Sequence, residues 1–266
     1  MAIDDVLEPL MTGRHARLGV YDDGVAILEM TSPPNNFLSV PLLGEVADGL
    51  ELADTDERCR VVVLCSEGKN FCAGASLGSG GEPGEAPDGR HIYDEALRLF
   101  ASNTPVVAAV QGAAVGGGLG LALFADLRVA ADDARLFANF AALGFNHGFA
   151  ISVTLPWTVG PQMANRILLE AQRISGTEAS RIGLVDQAVP AGELRVVARA
   201  AAAAIAANAP LAVRSIRETM RGDLVGRVSD ALRHERAEQG RLARTADFAE
   251  GVAAMAERRP PVFEGR

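Results

Sequence analysis

Short apolar runs alternate with helical patterns through the first half of the chain, and this alternation limits the possible folds more than any other feature. Four runs have the composition of buried β-strands: Val25–Met30, 60–65, Val106–Val110 and Leu127–Ala131. Amphipathic helical patterns over 39–53 and 91–102 lie between them. Strands that alternate with helices predict an α/β fold with parallel strands and right-handed crossover connections.

The pattern changes after about residue 195, where only helical segments remain. These segments cover 194–207, 210–220, 225–244 and 247–257. Their apolar stripes have to be covered, either by the α/β core or by another copy of the chain. We therefore predict an α/β core over residues 1–195 and a helical C-terminal oligomerisation region over 196–266.

Charge and cysteine content exclude several classes of function. The 266 residues carry a net charge of −9 without a long basic block, so we expect no nucleic-acid partner. No apolar run is long enough to span a membrane, and the N-terminus lacks the apolar region of a secretory signal. Cys59, Cys65 and Cys72 have no metal-site or disulfide spacing, which indicates reduced thiols, no bound metal and a cytoplasmic location.

Two glycine-containing turns follow predicted strands, and they are the candidate site. The first has the sequence FCAGASL (71–77), and the second has the sequence GAAVGGGLG (112–120). Ligands of open α/β sheets bind at the carboxyl ends of the strands, and glycine lets backbone N–H groups approach a ligand. A glycine-rich turn before a helix is most often only a turn. The spacing also differs from the dinucleotide-binding fingerprint.

Five motifs in a fixed order resemble the crotonase superfamily, also called the enoyl-CoA hydratase/isomerase family, over nearly the whole chain from about Val20 onward. They are FCAGASL, NTPVVAAVQG, QGAAVGGGLG, FADLRVAADDARL and ISGTEASRIGLVDQAVP. The resemblance implies a crotonase-type ββα spiral core with a helical C-terminal trimerisation part. It also implies a homo-trimer or a hexamer built as a dimer of trimers. The implied substrate is an acyl-CoA, with coenzyme A entering as part of the substrate and no permanently bound cofactor.

The resemblance also implies the residues of the site. The backbone N–H groups of Ala75 and Gly117 are expected to form an oxyanion hole for the thioester carbonyl. The coenzyme A nucleotide is expected near 71–77 and 35–38. The full set of expected substrate-binding residues is Asn35, Phe71, Ala73, Gly74, Ser76, Leu77, Tyr93, Gly116 and Phe140.

The chain departs from the family at the positions of the two hydratase glutamates. Gly120 stands at the first position, and Phe140, or Ala141 after a one-residue slip, stands at the second. Ser76 replaces the usual aspartate after the first oxyanion residue. Because hydration needs a base and an acid, standard two-glutamate hydration is not expected.

Other reactions of the family are not supported by the residues at their characteristic positions. The decarboxylating members have a lysine and a histidine where this chain has Leu77 and Thr219. The nucleophilic aspartate of the dehalogenating members aligns closest to Gly148. Isomerisation, C–C bond cleavage including decarboxylation, atypical hydration and a non-catalytic acyl-CoA-binding role all stay open.

His147 is the best candidate for proton transfer, because histidine titrates near neutral pH. Its alternative is a hydrogen-bonded turn residue. His91 and Tyr93 are weaker candidates, with His91 expected to be solvated at a helix start. Other polar or aromatic residues have simpler interpretations. Glu82 and Glu85 are expected in a charged surface loop, Asp126 is expected to have a structural role, and Trp157 is expected in the core. The arginines of 214–244 are expected on a solvated helical face, where Arg214 or Arg217 could contact a coenzyme A phosphate.

Overall fold

A computed structural model describes residues 8–75 and 84–266. Its strands are β1 (Glu8–Thr12), β2 (Ala16–Val20), β3 (Val25–Met30), β4 (Val61–Ser66), β5 (Val106–Val110), β6 (Ala113–Val115), β7 (Leu127–Ala131), β8 (Arg135–Phe137), β9 (Arg173–Ser175) and β10 (Gln187–Val189). Its helices are α1 (Val40–Thr55), α2 (Ile92–Ala101), α3 (Gly117–Phe124), α4 (Ile151–Leu169), α5 (Gly176–Arg181), α6 (Leu194–Ala206), α7 (Pro210–Arg221), α8 (Leu224–Leu242) and α9 (Ala246–Glu257).

The main sheet has the strand order β1-β2-β3-β4-β5-β7-β10. Strands β3, β4, β5, β7 and β10 are parallel, which confirms the parallel order predicted for the four apolar runs. The antiparallel pairs β1–β2 and β2–β3 extend one edge, and β6, β8 and β9 form a second sheet. Strands β1, β2, β6, β8, β9 and β10 were not predicted, because each is only three to five residues long and has no long apolar run.

Helix α1 illustrates how local sequence places an element on the sheet. The Ser39 hydroxyl accepts a hydrogen bond from the N–H of Leu42 at 3.2 Å and caps the helix. Leu42, Leu43 and Val46 form the buried stripe predicted from the helical pattern. The helix therefore covers β2 and β3 and also packs against α2.

The C-terminal helices pack back on their own chain. Helix α6 covers β4 and β5, α8 packs against α2 and α4, and α9 packs on the 3₁₀ turn Ala141–Leu143. The division into regions 1–195 and 196–266 stays a prediction, since α6 begins at Leu194 and is already part of the layer over the sheet.

Two of the expectations about side-chain burial that are wrong concern Trp157 and Arg217. Trp157 is 55% exposed instead of buried, because the buried positions near the start of α4 are Ile151, Thr154 and Leu155, and Trp157 lies beside this stripe. Arg217 is buried rather than solvated, because its Nε atom donates to both carboxylate oxygens of Asp126 at 2.8 and 3.0 Å.

The structural role predicted for Asp126 is confirmed by its partners. Its carboxylate also accepts hydrogen bonds from the N–H of Val106 and from Arg221, so it ties β5 to α7. Across the described ranges, no single helix is long and apolar enough to cross a membrane. By length and composition alone, one pair bent by 102°, Leu194–Ala206 with Pro210–Arg221, passes that test.

Candidate active site

The two glycine-containing turns meet backbone to backbone. The N–H of Cys72 donates to the carbonyl of Ala113 at 2.9 Å, and the N–H of Val115 donates to the carbonyl of Cys72 at 3.0 Å. The N–H of Leu38 donates to the carbonyl of Gly74 at 2.9 Å and brings the loop before α1 to the same place. The first turn, the second turn and this loop therefore form one rigid corner at the carboxyl edge of the sheet.

The N–H groups of Ala75 and Gly117 lie at this corner. Within residues 8–75 and 84–266, no backbone carbonyl accepts a hydrogen bond from either group. Gly117 is the first residue of α3, and the first N–H groups of a helix have no partner inside it and favour negative charge. Both residues line the same cavity.

This cavity has a volume of about 350 Å³ and is mostly apolar. Its described lining consists of Phe37, Leu38, Ala73, Gly74, Ala75, Ile92, Tyr93, Val115, Gly116, Gly117, Asn139, Phe140, Leu143, Phe145, Gly148, Phe149, Gln239 and Met255. The polar side chains in that set are those of Tyr93, Asn139 and Gln239, and it includes no carboxylate, histidine or basic residue. The cavity is thus suited to an uncharged group with a few polar atoms.

The structure brings most of the sequence-predicted residues together. Ala73, Gly74, Ala75, Tyr93, Gly116, Gly117 and Phe140 all line the cavity. Asn35 and Phe71 are not among its described lining. Asn35 accepts a hydrogen bond from the Nδ2 of Asn70 at 2.8 Å, and Phe71 is fully buried in the hydrophobic core. Ser76, Leu77 and Glu82 lie outside the described residues.

Gly120, at the position that the resemblance assigns to the family's first glutamate, faces the ring of Phe149. A Cβ atom on Gly120 would lie 2.6 Å from the Cβ of Phe149, which is closer than such atoms approach. Phe149 is buried and lines the cavity. An aromatic ring therefore fills the space next to the position from which a glutamate would extend.

His147 is not among the described lining residues of this cavity, although its neighbour Gly148 is. Its Nε2 is 3.8 Å from a carboxylate oxygen of Glu235, and its ring meets the ring of Phe140 edge to face with centroids 6.5 Å apart. Burial lowers the pKa of His147, and the nearby His234 lowers it further. The neutral imidazole is therefore the favoured form near pH 7.

Glu235 on α8 is a buried residue that the sequence interpretation missed. It is 1% exposed, and its carboxylate accepts hydrogen bonds from the N–H of Ala150 at 2.8 Å and from the N–H and hydroxyl of Ser152 at 3.2 and 2.6 Å. Burial raises the pKa of this carboxyl. The contacts fix the segment after His147 and supply the start of α4 with acceptors.

His91 and Tyr93 mark the other side of the cavity. The expectation of a solvated His91 is wrong: it is 1% exposed, because its Nδ1 accepts a hydrogen bond from the N–H of Tyr93 and caps α2. The hydroxyl of Tyr93 donates to the Oε1 of Gln239 on α8 at 2.7 Å. Gln239 is the second functional candidate that the sequence interpretation did not identify.

Comparison with known proteins finds relatives over most of the chain. The model of the family described as enoyl-CoA hydratase/isomerase matches residues 21–266. A probable enoyl-CoA hydratase of Bacillus subtilis (strain 168) is 34% identical over 252 residues, covering 92% of this chain and 96% of that protein. A carnitinyl-CoA dehydratase of Proteus mirabilis (strain HI4320) is 35% identical over 219 residues, covering 79% of this chain and 84% of that protein.

Solved structures are similar over a comparable share of the chain. An enoyl-CoA hydratase/isomerase from Pseudoalteromonas atlantica T6c has a TM-score of 0.82 at 28% identity and covers 94% of this chain and 100% of that one. The fold, the matching residues and these relatives define an α/β protein of the crotonase type. The chain belongs to the enoyl-CoA hydratase/isomerase family.

Proposed function

We propose that this chain is an enzyme that acts on an acyl-coenzyme A thioester and holds the thioester carbonyl oxygen between the N–H groups of Ala75 and Gly117. The proposal depends on two observations. Neither N–H group has a backbone acceptor among the described residues, and Ala75 and Gly117 line one cavity. Two preorganised donors stabilise the negative charge that an enolate places on this oxygen, and loss of one such donor typically costs about 10²–10³ in rate. The family and the names of the relatives, which include hydratases and a dehydratase of CoA esters, support the substrate class.

We propose His147 as the group that moves the α-proton. Its neighbour Gly148 lines the cavity, and burial favours the neutral imidazole, which is the form that accepts a proton. Because His147 itself is not among the described lining residues, the transfer requires a rotation of His147 toward the cavity or one intervening water molecule.

Three reactions of the enolate are open: a double-bond shift, C–C bond cleavage and atypical hydration. The described cavity lining contains no carboxylate, which argues against hydration by two glutamates. The same observation favours a second candidate function, a non-catalytic acyl-CoA-binding protein that keeps the cavity and the two N–H groups. The presence or absence of α-proton exchange separates the two.

The test combines binding with mass spectrometry in deuterated water. Purified protein is incubated with saturated, 2-enoyl, 3-enoyl, 3-oxo and malonyl-type thioesters of coenzyme A. Gain of deuterium at unchanged composition identifies enolate formation, gain of water identifies hydration, and loss of carbon dioxide identifies decarboxylation. If no thioester binds in a calorimetric titration, the proposed substrate class is wrong.

The role of His147 is tested with His147→Ala. Its matched control is His15→Ala, whose imidazole pairs with the Ser32 hydroxyl at 2.9 Å and is not among the residues that line the cavity. We expect His147→Ala to slow deuterium exchange by about 10²–10⁴-fold, the usual contribution of a general base. Exchange at the same rate in both variants would assign proton transfer to another group, and binding without exchange in the unmodified protein would favour the non-catalytic function.

We also propose that the protein assembles as a homo-trimer or a dimer of trimers. A second, largely apolar groove of about 660 Å³ opens between α4, α6 and α7, and Trp157, Ile216 and Met220 line it while being more than half exposed. Exposed apolar surface of this extent is typical of contacts between proteins. Light scattering of the purified protein tests the assembly.

A further inference from the structure

A short hydrogen-bonded chain crosses one wall of the acyl cavity. The hydroxyl of Tyr93 on α2 lies 2.7 Å from the Oε1 of Gln239, and the Nε2 of Gln239 lies 2.9 Å from the carbonyl oxygen of Asn146. Tyr93 and Gln239 are both buried, and both line the cavity. The three residues thus form a polar array in a wall that is otherwise mostly apolar.

The direction of these hydrogen bonds is fixed by the last member of the array. The carbonyl oxygen of Asn146 can only accept, so it requires the NH₂ group of Gln239 on its side. The amide oxygen of Gln239 then faces Tyr93, and an amide oxygen can only accept. Tyr93 is therefore the donor in the bond to Gln239, and this bond uses its proton.

Gly148 keeps the hydroxyl of Tyr93 at its place in the wall. A Cβ atom on Gly148 would lie 1.8 Å from the Oη of Tyr93 and 2.6 Å from the Nε2 of Gln239, so any other residue would displace both groups. Among the polar side chains of the described lining, Asn139 lies at the end with the glycine turn, because its Oδ1 would be 3.1 Å from a Cβ on Gly116. Tyr93 and Gln239 belong instead to the wall formed by α2 and α8.

We propose that Tyr93 is a specificity residue that accepts a hydrogen bond from the acyl group, and that Gln239 is the positioning residue that sets this role. The inference rests on the proposed binding of an acyl-CoA thioester and adds its chemical class: the acyl group carries a hydroxyl or amino N–H that donates to the Oη of Tyr93. An acyl group with only an acceptor at this position meets the lone pairs of the Tyr93 oxygen and is disfavoured.

The effect is selective because the rest of the wall is mostly apolar. The transfer of a hydroxyl from water into an apolar cavity is unfavourable unless the hydroxyl finds a hydrogen-bond partner there. Tyr93 supplies that partner. Tyr93 keeps its own bond to Gln239 when the ligand lacks a donor, so the penalty for such a ligand is moderate. The preference is expected to be about 2- to 12-fold, the factor that one neutral hydrogen bond supplies.

The experiment measures dissociation constants by calorimetry for butyryl-CoA, 3-hydroxybutyryl-CoA, 4-hydroxybutyryl-CoA and the methyl ethers of the two hydroxy thioesters. Mass spectrometry after each titration confirms that the thioester is unchanged. We expect at least one hydroxy thioester to bind about 2- to 12-fold more tightly than butyryl-CoA. Its methyl ether, which keeps the oxygen but has no proton, is expected to bind no more tightly than butyryl-CoA.

The variants are Tyr93→Phe, Gln239→Leu and the matched control Tyr21→Phe, which changes the other of the two tyrosines of the chain. The ring of Tyr21 lies under the Arg199 guanidinium, and Tyr21 does not line the cavity. The hydroxy preference is expected to fall to about one in Tyr93→Phe, to decrease in Gln239→Leu and to persist in Tyr21→Phe. Tyr93→Phe removes a single oxygen atom and decides the result if Gln239→Leu does not fold.

Three results would overturn the inference while leaving the proposed function intact: equal binding of hydroxy and unsubstituted thioesters, a preference that Tyr93→Phe retains, or tight binding of the methyl ethers. Failure of every thioester to bind would overturn the inference together with the proposed substrate class. Binding of butyryl-CoA therefore separates the two failures.

Discussion

Replacement of Gly120 by alanine tests whether Phe149 occupies the space next to this residue, which the resemblance aligns with the family's first glutamate. In an unobstructed helix this change stabilises, because glycine in a helix interior costs about 1 kcal/mol relative to alanine. Here the new Cβ would lie 2.6 Å from the Cβ of Phe149 and 2.9 Å from its Cδ1. The Cβ of a buried phenylalanine sits next to the backbone, so it cannot move without moving the chain.

Overpacking of a buried site typically costs about 1–3 kcal/mol, and the short contact with a fixed atom favours the upper end of that range. The loss exceeds the gain in helix propensity, and we expect Gly120→Ala to lower the free energy of unfolding by about 2 kcal/mol. The matched control is Gly226→Ala in α8, where no atom lies within 4 Å of the added Cβ. The control is expected to raise the free energy of unfolding by about 0.5–1 kcal/mol.

The measurement is urea unfolding followed by circular dichroism at one fixed protein concentration, because assembly makes the midpoint depend on concentration. The two variants should shift the midpoint in opposite directions with unchanged slope. An equal stabilisation by both changes would show that Phe149 yields without cost and would refute the reasoning. If the prediction holds, Gly120→Glu alone cannot restore an acid here, because its Cβ meets the same atom.

Three further predictions concern buried groups. Glu235→Ala leaves the N–H of the buried Ala150 without its acceptor and should lower the free energy of unfolding by about 1–3 kcal/mol. Urea unfolding measures the loss, and Glu238→Ala, which breaks an exposed pair with Arg241, should have a much smaller effect. The three buried cysteines should resist alkylation by iodoacetamide at pH 8 until the protein is unfolded. The reason is that burial raises the thiol pKa to about 11 for Cys59 and to about 12 for Cys65 and Cys72. Labelling of the native protein would contradict this prediction. The pKa of His147 in the folded protein lies below its ordinary 6.5, although the carboxylate of Glu235 faces its Nε2. As the pH falls, the unfolded chain therefore binds the proton first, so the stability that this group contributes is full above about pH 6.5 and is lost as the pH falls through the folded pKa. An NMR titration midpoint at or above 6.5 for His147 would exclude this pH dependence.

The helices could be predicted closely where local signals and burial agree. Helices α6, α7, α8 and α9 begin and end within two residues of the predicted segments, because their stripes and termini are encoded locally. Strands β1 and β2 could not be predicted in the same way. Each has five residues, and their order at the sheet edge depends on pairing with β3 rather than on their own composition.

The sequence indicated the glycine turns of the candidate site together with Tyr93 and Phe140, but not the polar residues of α8. The turns that contain Ala75 and Gly117 are readable from glycine motifs, whereas Glu235 and Gln239 lie in a helix with many charges that resembles a solvated one. A usable signal was nevertheless present, because both residues continue the buried stripe of Leu224, Val228 and Leu232 at helical spacing. Polar residues on an apolar stripe indicate buried hydrogen bonds, and here those bonds hold the wall of the cavity.

The contribution of Met255 from α9 to the lining has a consequence for synthesis of the protein. Along the chain, the described lining of the cavity begins at Phe37 and ends at Met255. A nascent chain can form its sheet and its two glycine turns before Met255 has left the ribosome, so the wall lacks its α9 part at that stage. The described wall is therefore complete only after α9 has been synthesised and has packed on the 3₁₀ turn Ala141–Leu143.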